Sequence, residues 1–275
     1  MEEEVAVSNS NESEVDISSL DYLVNKTWRV YAISPILSTV NEQSFINSLV
    51  PSLRQEYEKY SGPLNNVKLL RVLVHEIEAI QGFDYCVGYN LSFTDKDRAI
   101  SLYCCIFAQY PRSTHVSHSM LLIKGKKELR KVFLNWFKKA YDVFINLSRY
   151  RFSSYQLQHL CETAFSRSLN RVNENMVLSF SVPSVVDGMS HIHISVPVED
   201  VQRLVSAYDH SKKCWEVIQD HFQELVTMDP EVLLLTQIRC ANLTATRDGR
   251  VKFTEKQCIS ELVNALSQML VEYCV

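Results

Sequence analysis

The chain has 275 residues, 46% of them hydrophobic and 22% charged, a composition ordinary for a globular protein with a sizeable core. Six glycines and seven prolines leave little material for phosphate cradles, a loop-heavy enzyme or long linkers. The net charge of −4 conceals an asymmetry: residues 1–21 carry seven acids and no base, which leaves +3 for the remainder.

That first segment is rich in Glu, Ser and Asn and has no aromatic residue before Tyr22. It buries too little surface to offset ordering entropy, and so reads as a disordered acidic tail over 1–21. No basic stretch followed by an apolar one marks a secretory signal, and no apolar run approaches a membrane span. Eight cysteines are dispersed without a CxxC pair, and Cys86, Cys104, Cys105, Cys240 and Cys258 lie in apolar or strand-like stretches. Reduced, buried thiols in a reducing compartment are the expectation.

Beyond the tail, Lys26–Ile33 alternates with period two, Trp28, Val30 and Ala32 on one side, and stops at Ser34-Pro35. A helix is predicted over Asn41–Tyr60, interrupted at Pro51. Val67–Ile77, Phe83–Phe93 and the nearly all-apolar Ile100–Phe107 read as further strands, the last a central one. Strands in series with short breaks favour an antiparallel sheet.

Leu129, Val132, Phe133, Trp136, Phe137, Ala140 and Phe144 then recur at three- and four-residue spacing, predicting a helix over Lys126–Ile145. A second helix is predicted from Ser153, a capping residue, to Leu169. Met176–Val182 and His191–Val196 read as paired strands with Asp187-Gly188 between them. Pro197 opens a helix over Val198–Val205, and Trp215–Val226 reads as another. Ile238–Thr246 and Arg250–Phe253 read as a hairpin around Asp248-Gly249. A terminal helix is predicted from Thr254, where Thr254-Glu255-Lys256-Gln257 is a capping-box pattern. The expected fold class is α+β: mostly antiparallel sheets with packed helices, the tail over 1–21, an N-terminal half over 22–147 and a C-terminal half over 148–275.

No dinucleotide fingerprint, phosphate loop, nucleophile elbow or zinc-protease motif occurs. No catalytic residue, cofactor, metal site or small-molecule substrate is expected. Cys104 and Cys105 with His115 and His118 come nearest to a metal cluster, but adjacent strand residues point to opposite faces and cannot readily share one ion. His191 and His193 share a face, without a third ligand close in sequence.

Two surfaces carry the remaining signal. Residues 122–171 hold eleven bases and three acids. Lys127, Arg130, Lys131 and Lys138 gather opposite the apolar stripe of the 126–145 helix, with Lys139 beside them. This is either a solvated helix face or a surface for phosphates. In the predicted strand from 238, Ile238, Cys240 and Asn242 alternate with Arg239, Ala241 and Leu243, so neither face is wholly apolar. Such a strand often lies at a sheet edge, open to a partner's strand. Ile238, Cys240, Asn242 and Leu243 are therefore the candidate partner-binding residues.

Several ordered motifs resemble the centromere protein L family of the inner kinetochore. They are Lys26-Thr27-Trp28 through Tyr31 to Ser34-Pro35, Leu102 to Phe107 with its Cys104-Cys105 pair, Trp136-Phe137-Lys138-Lys139-Ala140-Tyr141-Asp142, Phe180-Ser181-Val182-Pro183, Pro197-Val198-Glu199-Asp200, and Asp248-Gly249-Arg250-Val251-Lys252. The resemblance runs in order from about residue 22 to the C-terminus. It implies a nuclear, non-enzymatic scaffold at the centromere that supports chromosome segregation. It also implies a heterodimer with centromere protein N through C-terminal sheet regions. Centromere protein C, the centromere protein H-I-K-M group and centromeric nucleosomal DNA would be its neighbours. The alternative is a stand-alone, sequence-independent DNA-binding protein using the basic helix over 126–145.

Overall fold

A computed structural model describes residues 19–36, 48, 51, 55, 68–77, 80, 82–95, 98–109, 119–145, 150–167, 175–183, 188, 190–207, 213–226 and 233–273. The tail before residue 19, most of the helix predicted over 41–60, and His115 and His118 lie outside them. The described residues hold ten strands and five α-helices, and the chain divides into two compact units. One comprises residues 1–23, 28–148 and 270–275; the other comprises 24–27 and 149–269.

The first unit contains β1 (Thr27–Ile33), β2 (Lys68–Glu76), β3 (Tyr85–Asp95), β4 (Arg98–Ala108) and β5 (Ser119–Lys124), in the order β2-β3-β4-β5-β1. Every described pairing is antiparallel. The nearly all-apolar run from Ile100 is the middle strand, as its composition predicts, and from Cys104 to Ala108 both its faces are buried. On one face Ile100, Leu102, Cys104 and Ile106 join Val87, Tyr89, Leu91 and Phe93 of β3 in a core closed by α1 (Lys127–Tyr141). Leu129, Val132, Phe133, Leu134, Trp136 and Phe137 are the residues that α1 buries there. Burying each such side chain contributes about 1.5–3 kcal/mol.

The opposite face is covered by a 3₁₀ turn, Ser19–Tyr22, that the sequence pattern did not announce. The Tyr22 hydroxyl lies 2.6 Å from the Tyr89 carbonyl and 3.1 Å from that of Cys104, two residues directly paired across β3 and β4. Its ring stacks near Trp28, His75 and Tyr103. Gly88 makes this possible, since a Cβ there would stand 2.7 Å from the Tyr22 ring. Burial pushes the Tyr22 phenol well above its ordinary range, so it stays a neutral donor.

The second unit contains β6 (Asn175–Ser181), β7 (His191–Pro197), β8 (Leu234–Arg239), β9 (Leu243–Thr246) and β10 (Arg250–Phe253), in the order β10-β9-β8-β6-β7, again antiparallel. Its helices are α2 (Ser154–Arg167), α3 (Val198–Ala207), α4 (Cys214–Val226) and α5 (Ile259–Tyr273). Ser153 caps α2 as predicted: its Oγ accepts from the Gln156 amide at 3.1 Å, and the Gln156 side chain accepts from the Ser153 amide at 3.0 Å. Gly249 turns the β9–β10 hairpin at φ 77°, packed so closely on the Tyr150 carbonyl that no side chain fits.

Four expectations change. Helix α1 ends at Tyr141 rather than Ile145, because Asp142 takes a left-handed cap at φ 48°. The segment after it turns back onto β1, where Ser34 and Phe144 exchange hydrogen bonds, so Phe144 leaves the helical stripe and is 69% exposed. The strand predicted over 238–246 is two strands joined by a tight turn. The terminal helix begins at Ile259, not Thr254, because the Thr254 hydroxyl donates instead to the Ala241 carbonyl at 2.6 Å. Strand β5, short and with an unbroken apolar run from Met120 to Ile123, gives no periodicity to find.

The Gly88–Tyr22 contact yields a stability test. Gly88→Ala is expected to cost about 1–3 kcal/mol by overpacking. In a Tyr22→Ala background the same change should cost almost nothing, a coupling that a double-mutant cycle in urea unfolding reads directly.

Candidate interaction surfaces

The segment expected to meet a partner lies inside the second unit. Ile238 is fully buried in β8, which has β6 on one side and β9 on the other, so it is no edge. Cys240 and Leu243 close the turn between β8 and β9 through a 2.7 Å bond from the Cys240 amide to the Leu243 carbonyl. Asn242 is buried and donates through Nδ2 to the Ala164 carbonyl of α2 at 2.9 Å. Cys240 is buried too, its sulfur 3.7 Å from that of Cys161. None of Ile238, Cys240, Asn242 and Leu243 is exposed to a second protein. The mixed polarity that suggested a two-faced strand comes from a turn whose Asn serves the fold.

The unoccupied edge of this sheet is β7, which pairs with β6 alone among the described strands. Its residues alternate strictly between exposed and half-buried. The register identifies which backbone groups are unmet. The Val182 amide donates to the Ser190 carbonyl at 3.0 Å, so Ser190 forms a hydrogen-bonded pair with Val182. Pairs two residues along repeat that pattern, and Ile192, Ile194 and Val196 direct their amides and carbonyls inward to β6. His191, His193 and Ser195 direct theirs outward. Pro197 occupies the next outward position, where a missing N–H costs nothing.

The two faces of β7 differ chemically. His191 and His193 stack with ring centroids 6.4 Å apart, and their Nδ1 atoms lie 3.0 Å from Ser190 Oγ and 2.9 Å from Ser179 Oγ. Ile194 and Val196, on the other face, line an apolar cavity of about 230 Å³ with Leu178 and Phe180 of β6, Leu204 of α3, and Trp215, Ile218 and Phe222 of α4. Neither the edge position of β7 nor the cavity was evident from sequence. The regular His-Ile-His-Ile-Ser-Val alternation is the signal that points to a strand with one covered face.

The basic surface is borne by α1. Lys127, Lys131, Lys138 and Lys139 are exposed, as is Lys126 before the helix. Arg130 differs: it is half-buried, and its Nη1 donates to the Gly125 carbonyl at 2.9 Å, which ties the helix start to the end of β5. Lys138 stands 6.0 Å over the Phe144 ring. Lys138 and Lys139 in the last turn complement the helix dipole. Lys127 and Lys131 near the start oppose it, with Glu128 the one acid in the first turn.

The described cysteines are buried or half-buried. Burial pushes the Cys86 thiol up to about 11 and that of Cys214 to about 12, so both are neutral thiols at pH 7. Cys104 and Cys105 point to opposite faces of β4, and burial raises both well above the ordinary range. Among the described residues no group of three or more His, Cys, Asp or Glu side chains is placed to hold a metal ion. No described helix is long and apolar enough to cross a membrane.

Comparison with known proteins gives a family. The model described as centromere protein L matches residues 105–275, more than half of the chain, and covers β5, α1 and residues 149–269 of the second unit. No curated protein matches the chain.

Proposed function

The chain belongs to the centromere protein L family, a structural component of the kinetochore at the centromere, and from that premise we propose that it is a scaffold subunit that heterodimerises with centromere protein N. In this reading the second unit supplies the contact, and the pair takes its place beside centromere protein C and the H-I-K-M group on centromeric chromatin during chromosome segregation. The observation that carries it is the open edge of β7. Three consecutive outward positions, His191, His193 and Ser195, offer backbone donors and acceptors with no described strand beside them. Main-chain bonding to a partner strand satisfies those groups without requiring a deep pocket.

A second reading is favoured by Lys127 and Lys131. Placed against the helix dipole and exposed, they suit phosphate contact, as a stand-alone DNA-binding protein would need and as a scaffold on nucleosomal DNA would also use. Lys138 and Lys139 extend that face, whereas Arg130 is engaged by Gly125 and serves the fold.

Two experiments separate the readings. Co-expression with a centromere protein N homologue should give a one-to-one complex on size exclusion. Ser195→Pro, which removes one outward N–H and no internal bond, should weaken it by roughly tenfold or more. A wild-type chain that stays alone contradicts the scaffold reading. Lys127→Glu with Lys131→Glu should lower the slope of log affinity against log salt for double-stranded DNA by about two, while the protein complex is unaffected. Loss of the protein complex instead would make that face a protein contact.

A further inference from the structure

We propose that the cavity beside β7 is the receptor for one bulky apolar side chain, carried on an extended segment of a partner polypeptide that pairs with the β7 edge. The inference rests on the scaffold reading and specifies what the partner must look like.

Size and chemistry narrow the occupant. At about 230 Å³ the cavity is smaller than the ~300–1,000 Å³ typical of sites for drug-sized ligands and cofactors. Its walls are mostly hydrocarbon and aromatic: Leu178, Phe180, Ile194, Trp215, Ile218 and Phe222, with Phe180 and Phe222 stacked 5.9 Å apart, and Ser195, Gln219 and His221 add the polar part of the lining. A site for a phosphate, a sugar or a metabolite would present charged or clustered polar groups to orient it. A single aromatic or large aliphatic side chain needs none, and burial alone gives it an anchor.

Position then selects the polypeptide that carries it. The cavity opens beside the strand whose outward amides are unmet, and Ile194 belongs to both features: its side chain lines the wall, and it lies between the outward backbone groups of His193 and Ser195. A strand added to that edge runs about 4.8 Å from β7, with alternate side chains on the two faces. Residues on the cavity side are brought over the apolar walls, and those on the other side meet the imidazoles of His191 and His193. The partner segment therefore alternates, apolar on one face with a Phe, Trp or Leu at the anchor, polar or acidic on the other. A globular surface does not fit as well, because a seven-residue edge and one small cavity offer an extended strand more than they offer a broad flat face.

The test uses the full chain titrated with purified centromere protein N, with affinity read by calorimetry. Leu204→Phe fills the cavity from the half-buried α3 side, and Gln219→Phe blocks it from a half-exposed lining position on α4. Each should weaken binding by roughly tenfold or more, with thermal unfolding of the free chain unchanged for at least one of them. Arg203→Ala, exposed beside Leu204 on α3, should leave affinity unchanged. Absence of any complex with the wild-type chain contradicts the scaffold reading itself. A wild-type complex undiminished by both folded filling variants overturns the anchor alone. Concentration-dependent self-association of the chain, abolished by the same variants, overturns it in favour of a second copy as the occupant.

Discussion

An antiparallel sheet satisfies its backbone only where a strand has a neighbour on each side, and in the second unit β7 is paired, among the described strands, with β6 alone. The account of the second unit follows from that constraint. Strands β6, β8 and β9 are each flanked, and their side chains pass into cores on helices. In β7 the same alternation that half-buries Ile194 and Val196 turns the backbone of His193 and Ser195 outward, because side-chain direction and hydrogen-bond direction are fixed together by the pleat. Edge, cavity and exposed imidazoles are thus three consequences of one strand's register.

The first unit resolves the matching problem differently. Its central strand β4 is buried on both faces from Cys104 to Ala108, so both sides must be covered there. Helix α1 covers one with a broad apolar stripe, and Tyr22 reaches over the other, where Gly88 leaves room for its ring. Only when that burial is complete does the far side of α1 become available for charge. Lys127, in the first turn, is set against the dipole, and Lys131 follows one turn further along the same exposed side.

What was legible in the sequence follows from what is periodic. Strands β1 to β4, β6, β7 and β10 and helices α1 to α4 show alternation or a helical stripe, and each was readable to within a few residues. Boundaries set by hydrogen bonds across the fold were not. Thr254 looks like a cap and bonds to Ala241; Phe144 looks like the next residue of a stripe and belongs to a segment turned back by Asp142. The candidate partner residues Ile238, Cys240, Asn242 and Leu243 fall in buried positions for the same reason. Asn242 within an apolar stretch resembles an edge residue, and only the three-dimensional partner, the Ala164 carbonyl, identifies it as an internal bond. A strand's position within its sheet depends on contacts far apart in sequence, so period alone cannot tell β8 from β7.

The most direct measurement is amide hydrogen exchange on the free chain and on its complex with centromere protein N. The account predicts that the amides of His193 and Ser195, open to water in the free chain, become strongly protected in the complex, while Ile238 and Leu243 are equally slow in both. Unchanged exchange at 191–195 in a stable complex, with new protection confined to α1 or to the β8–β9 turn, would contradict it.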